Sequence, residues 1–147
     1  SKFECYTRLI FASKEIFVLR NLSKGKGIGF FQNAGFYPDF IVWIVNGSKQ
    51  RIVFVEPHGM LMEKVYESDD KARLHEKLAG LSVKWGAKSG LTGVTLDSYI
   101  ISATPHDTLK AHYGDGKWSL KDFEDKHILF PDKSGNGEYL KPVFRRN

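Results

Sequence analysis

Pro38 to His58 reads PDFIVWIVNGSKQRIVFVEPH, and the fold turns on this stretch. Phe40 to Val45 and Ile52 to Val55 are runs of β-branched and aromatic residues, the composition that suits a pleated surface. The run from Pro38 to Val45 is apolar on both parities, so it reads as a strand with both faces covered. Asn46 to Lys49 (NGSK) supplies a tight turn, and Arg51 to Glu56 a second strand, which together predict an antiparallel hairpin. With Gly47 and Ser48 at the centre of the turn, Asp39 lies directly opposite Glu56. Directly paired side chains sit about 4.5–5.5 Å apart at Cβ, close enough for two carboxylates to share one divalent cation. Without a cation or a proton they repel each other. A rival register centred on Asn46 and Gly47 leaves the two acids as diagonal neighbours, and the site survives that slip. Glu56 and His58 are two apart and share a face if the strand continues.

Asp after Pro at the start of a strand is ordinary. Glu56 is less so, because it ends the apolar run RIVFV, where an unpaired charge is expensive to bury.

Ser13 to Leu22 (SKEIFVLRNL) offers a Ser cap followed by apolar residues and predicts a short buried helix. SKGKGIG, from Ser23 to Gly29, breaks it; it lacks the GKS or GKT ending of a Walker loop and is read as a turn. Beyond Gly59, Ser68 precedes two acids, and Leu74, Leu78, Leu81 and Trp85 then fall at helical spacing, with Gly86 as the expected stop. Val94 to Ala103 reads as another strand. Ser119 to Phe130 is expected to form a second long helix capped by Ser119, with Leu120, Phe123, His127 and Phe130 on one face. The polar, Gly-containing segment 131–147 is expected to be partly loose. His106 and His112, with Asp107 and Asp115 nearby, match no strong ligand spacing and are read as a solvated loop.

The 147 residues fit one domain, and no repeat or linker divides them. Apolar residues make up 41% and aromatics 14%, enough for a packed core and too many for a disordered chain. No apolar run approaches the roughly 20 residues a membrane helix needs. The single Cys5 cannot form an internal disulfide and is read as a small packing residue, which fits a cytoplasmic protein. The chain begins at Ser1, and a domain cut from a larger protein is the expectation. Twenty-two Lys and Arg against 17 Asp and Glu leave a surplus of five positive charges, which favours an acidic partner such as nucleic acid.

The pattern Pro38-Asp39 followed by Glu56-Pro57-His58 resembles the PD-(D/E)XK nuclease superfamily. The wording GFYPDFIVWI followed by RIVFVEPHGM is similar to the nuclease domains of restriction-type and related DEAD/DEAH helicases. The likeness is sharpest over Gly35 to Met60. It implies an α/β, restriction-endonuclease-like fold: a mixed central sheet flanked by helices, with a helix before the hairpin and a helix and strand after it. It also implies a metal-dependent nuclease that cleaves DNA as a module of a larger helicase or restriction-type protein. By that likeness Asp39 and Glu56 bind Mg²⁺ or Mn²⁺, the carbonyl of Pro57 is a backbone ligand, and Glu15, with Glu4 as a rival, supports the metal or its water. The family usually has Lys where this chain has His58, which then serves as general base or metal ligand, or else marks a silent relative that binds nucleic acid or docks to its host. Lys49, Arg51, Lys64 and Lys71 are the cations expected to meet DNA, and Lys64 or Lys71 could restore the missing Lys charge.

Overall fold

In the computed structural model, residues 3–11, 13–22, 37–61, 63, 65–90 and 92–145 are described, the first of these segments for its backbone alone. The chain is α/β. Its strands follow one another in chain order within one sheet, β1-β2-β3-β4-β5-β6, with antiparallel ladders from β1 to β4 and a parallel one between β5 and β6. Two units divide the chain, one comprising 1–56 and 75–98, the other 57–74 and 99–147.

Unit 1 is built on the hairpin. Strand β3 (Phe40–Asn46) pairs with β4 (Lys49–His58), and Asn46 opposes Lys49 across a two-residue loop. Gly47 turns the chain with φ +59°, a conformation that costs a residue without Cβ nothing. The register is the one with Gly47 and Ser48 at the centre. Val42, Val53 and Val55 are buried on one face, and Ile41 and Phe54 on the other. Covering is incomplete nearer the turn, where Trp43 remains 39% exposed, tilted against Phe17 and donating its Nε1–H to Gln50 Oε1 at 3.1 Å.

The expected helix over Ser13 to Leu22 is instead strand β2 (Lys14–Asn21), held on one side by β1 (Phe3–Phe11) and on the other by β3. Ile16, Phe17 and Val18 fit a strand better than a helix, and ladders on both sides take up the backbone groups that a helix would have paired internally. A short apolar run cannot declare its period alone. After the hairpin, helix α1 (Leu74–Ser89) starts later than Ser68 and runs through Gly86 to Gly90, whose φ of +69° ends it. Leu78 is its fully buried contact, and Ser82 Oγ accepts the Leu96 N–H of strand β5 (Val94–Ser102) at 2.9 Å. Gly93 is obligatory, because a Cβ there would lie 2.4 Å from the Ser48 carbonyl oxygen.

Unit 2 has a core of Met60, Tyr66, Ala72, Ile100, Leu109, Tyr113, Phe123, Ile128 and Phe130, with Trp118 against it. The elements around it are short: α2 (His106–His112), α3 (Leu120–Asp125), β6 (Ile128–Leu129) and α4 (Lys141–Phe144). The second long helix is therefore not formed. Ser119 does cap α3, in a capping box with Asp122. The helix stops after six residues because His127 turns left-handed, φ +59°, and Ile128 and Leu129 pair with Ile100 and Ile101 of β5. Segment 131–147, expected to be partly loose, carries two 3₁₀ turns and α4 as far as Phe144, and buries Pro142 and Val143.

Candidate functional site

Strand β2 ends at Asn21, β3 begins beside Asp39, and β4 carries Glu56 near its end, so the three residues form a row across three adjacent strands of unit 1. The last ladder pairs, Arg20 with Phe40 and Phe40 with Val55, set that row. Glu56 is 8% exposed, whereas Asp39 is open to solvent. The Asp39 backbone N–H donates to Glu56 Oε2 at 3.1 Å. On the opposite side, the Asn21 N–H donates to the Asp39 carbonyl and Asn21 Nδ2 to the Pro38 carbonyl, both at 2.8 Å. Pro38 is fully buried and its ring fixes φ, so the chain enters β3 in one direction.

Two carboxylates on neighbouring strands offer hard oxygen donors, the kind Mg²⁺ and Mn²⁺ prefer. Mg²⁺ sites commonly use one or two protein carboxylates and leave the remaining positions to water and substrate phosphate. Among the described residues no group of three or more His, Cys, Asp and Glu is arranged to hold a metal.

The other expected site residues are scattered. Glu15 lies on strand β2 rather than on a helix, opposite Val45, six residues along β3 from Asp39. At roughly 3.4 Å per residue that is about 20 Å, too far to support a metal there. Lys49 stands exposed at the hairpin turn, seven residues or roughly 24 Å along β4 from Glu56. Arg51 is not offered to solvent: it is 8% exposed, and its guanidinium holds Asp97 Oδ2 at 2.6 Å. Its charge is balanced within the fold by Asp97. Lys64 lies outside the described residues, as does Glu4 with respect to its side chain.

Pro57 is exposed and His58 ends β4; both belong to unit 2. Burial pushes the His58 imidazole below its ordinary value, and the positive charge of Lys71 adds to this against the opposing pull of Asp69. At neutral pH the ring is therefore uncharged, the form that can accept a proton or bind a metal but not the form that replaces a lysine cation. The Lys71 charge thus acts on His58.

Reading the sequence missed two residues. Asn21 was hidden by the helical reading of its segment. Asp97 carried a usable signal, since an acid inside VTLDSYII demands a buried partner. Comparisons with protein-family models, curated proteins and solved structures found no match. No helix among the described residues is long and apolar enough to cross a membrane.

Proposed function

We propose that the Asp39–Glu56 pair is the metal-holding end of a nuclease module of PD-(D/E)XK type, with a restriction-endonuclease-like sheet, that hydrolyses phosphodiester bonds in DNA. The observation that carries the reading is the bond from the Asp39 N–H to Glu56 Oε2 at 3.1 Å, one residue beyond the last ladder pair, Phe40 with Val55, at the open end of the hairpin. The order of hairpin, helix and strand that follows supports it.

In this reading Asp39 and Glu56 hold one or two Mg²⁺ or Mn²⁺ ions, with the Pro57 carbonyl as a further ligand. When bound, the metal acidifies a water and neutralises charge on the scissile phosphate. Glu56 contributes a carboxylate whose direction is fixed by a backbone bond. Asp39, open to solvent, would be the more accessible of the two ligands. His58, next but one in the chain, would serve as the general base in its neutral form. The module works in the cytoplasm with the helicase or restriction-type domains of its host.

A second reading keeps the fold and drops the chemistry. It is favoured by the uncharged His58 in the place of a lysine and by the engagement of Arg51 with Asp97. Such a domain binds nucleic acid or its host without cutting.

Thermal melts with and without Mn²⁺ test the metal. An ion that binds only the folded state stabilises by about 2.7 kcal/mol at a hundredfold excess over Kd, and Asp39→Asn abolishes the gain. Coincident melts for the unmodified protein at millimolar Mn²⁺ show that the acid pair is not a metal site. Cleavage of linear, circular or single-stranded DNA with Mg²⁺ or Mn²⁺ supports the nuclease. Metal binding without cleavage of any of the three, in the full host protein, supports the silent domain.

A further inference from the structure

One peptide unit lies at the centre of the acid row. The Pro38–Asp39 peptide has its carbonyl bound by Asn21 Nδ2 at 2.8 Å and its N–H bound to Glu56 Oε2 at 3.1 Å. Side chains from the two neighbouring strands therefore grip the same plane from opposite edges. We infer that Asn21 is a positioning residue for the acid pair: it holds the Pro38–Asp39 peptide in the orientation that aims the Asp39 side chain and anchors Glu56.

Rotating this peptide about its flanking bonds would turn its oxygen away from Asn21 and its N–H away from Glu56 together, losing two bonds at once. In addition, the Asn21 backbone N–H holds the next carbonyl, that of Asp39, at 2.8 Å, so both carbonyls flanking the Asp39 Cα are pinned by one residue. Pro38, buried and ring-locked, removes the remaining freedom on the upstream side. Asn21 is 7% exposed, so water competes poorly for these bonds, and successive dipoles through one amide reinforce each other. An apolar residue at position 21 would keep the ladder bond from its backbone. It would leave the Pro38 carbonyl without its side-chain donor, and the peptide plane would then be held at one edge only.

Any consequence for metal binding rests on the proposed function, whereas the positioning itself does not. The test uses the full chain, with Asn21→Leu as the main variant and Asn21→Ser if the first fails to fold. Ile16→Val is the control, because it trims the same strand's buried face without touching the row. Two quantities are read: hydrogen exchange of the Asp39 amide, and affinity for Mn²⁺ from the electron-spin-resonance signal of the free ion. Loss of the Nδ2 donor is expected to speed Asp39 exchange at least tenfold and to weaken Mn²⁺ at least tenfold, while Ile16→Val changes neither by more than twofold. Unchanged Asp39 exchange in a folded position-21 variant overturns the positioning role. If the unmodified protein binds no Mn²⁺, the metal reading fails and Asp39 exchange alone decides the matter for Asn21. Faster exchange with unaltered Mn²⁺ affinity also overturns it, since the peptide would then be mobile without affecting the acids.

Discussion

Unit 1 and unit 2 use opposite means to specify their structures. Unit 1 is a repetitive antiparallel ladder in which one register, once set, places every side chain, and its polar groups are paired across strands: Arg51 with Asp97, and Asn21 and Glu56 with the backbone of Pro38 and Asp39. Unit 2 has short elements that turn at left-handed residues, Asp115, His127 and Asn136, and its specificity lies in aromatic edges. Phe123 meets Trp118, Phe130 and His106 at ring distances of 5.0 to 5.4 Å, each near perpendicular. A ladder tolerates local change because each pair carries a small share of the energy. A single-centre aromatic cluster does not, because removing the central ring strips its neighbours together.

The sharpest break in that contrast is Phe123→Ala. The ring is fully buried, so truncation is expected to cost about 3–5 kcal/mol, read as a lowered denaturant midpoint with loss of near-ultraviolet dichroism from Trp118. A cost below that of an ordinary surface change would show that the cluster is not the anchor of unit 2.

Next is the ion pair of unit 1. Asp97→Asn leaves the Arg51 guanidinium buried without its counter-charge and is expected to cost about 3 kcal/mol. The double variant Arg51→Met with Asp97→Leu should recover most of that loss, since apolar side chains of similar volume fill the same space. Urea melts of the single and double variants provide the measurement, and a double variant no better than the single would assign Arg51 a role beyond the pair.

Tyr113→Phe probes a buried polar link in the core of unit 2. The Tyr113 hydroxyl donates to Asp69 Oδ2 at 3.1 Å, while Asp69 Oδ1 accepts the Ala72 N–H before α1. Burial, with the Asp69 charge added, pushes the phenol pKa well upward, so the hydroxyl remains a donor at any working pH. Losing it strands half of a 3%-exposed carboxylate and is expected to cost about 1–3 kcal/mol by chemical denaturation. The change should appear without altered Trp118 dichroism, which separates it from Phe123→Ala.

The smallest effect is a pH slope. The His58 pKa is lower folded than unfolded, so between the two values the unfolded chain binds the extra proton and stability rises with pH. The contribution is complete above the ordinary imidazole value of about 6.5 and declines as pH falls from there through the folded pKa. His58→Asn should flatten that limb in melts between pH 7 and pH 5, and Lys71→Gln, by removing the second cause of the shift, should flatten it partly. An unchanged slope in His58→Asn would assign the acid sensitivity to another group.

The hairpin and its acid pair were legible in the amino-acid sequence because strand pairing is local there. A two-residue turn between β-rich runs leaves only two registers, and both keep Asp39 near Glu56. The helical stripe from Leu74 to Trp85 was legible for the same reason, since its period is written within one continuous segment. Tertiary structure alone decided the rest. Whether SKEIFVLRNL is helix or strand depends on ladders supplied by β1 and β3, and that choice moved Glu15 away from the acids and brought Asn21 beside them. Ser119 to Phe130 carries a helical stripe, yet the pairing of Ile128 and Leu129 with a strand some thirty residues earlier outweighed it, because two buried ladder residues gain more than a frayed helical turn. The engagement of Arg51 by Asp97, across 46 positions, could not be read from local periodicity, for a cation's partner is set by where the chain returns and not by its neighbours in sequence.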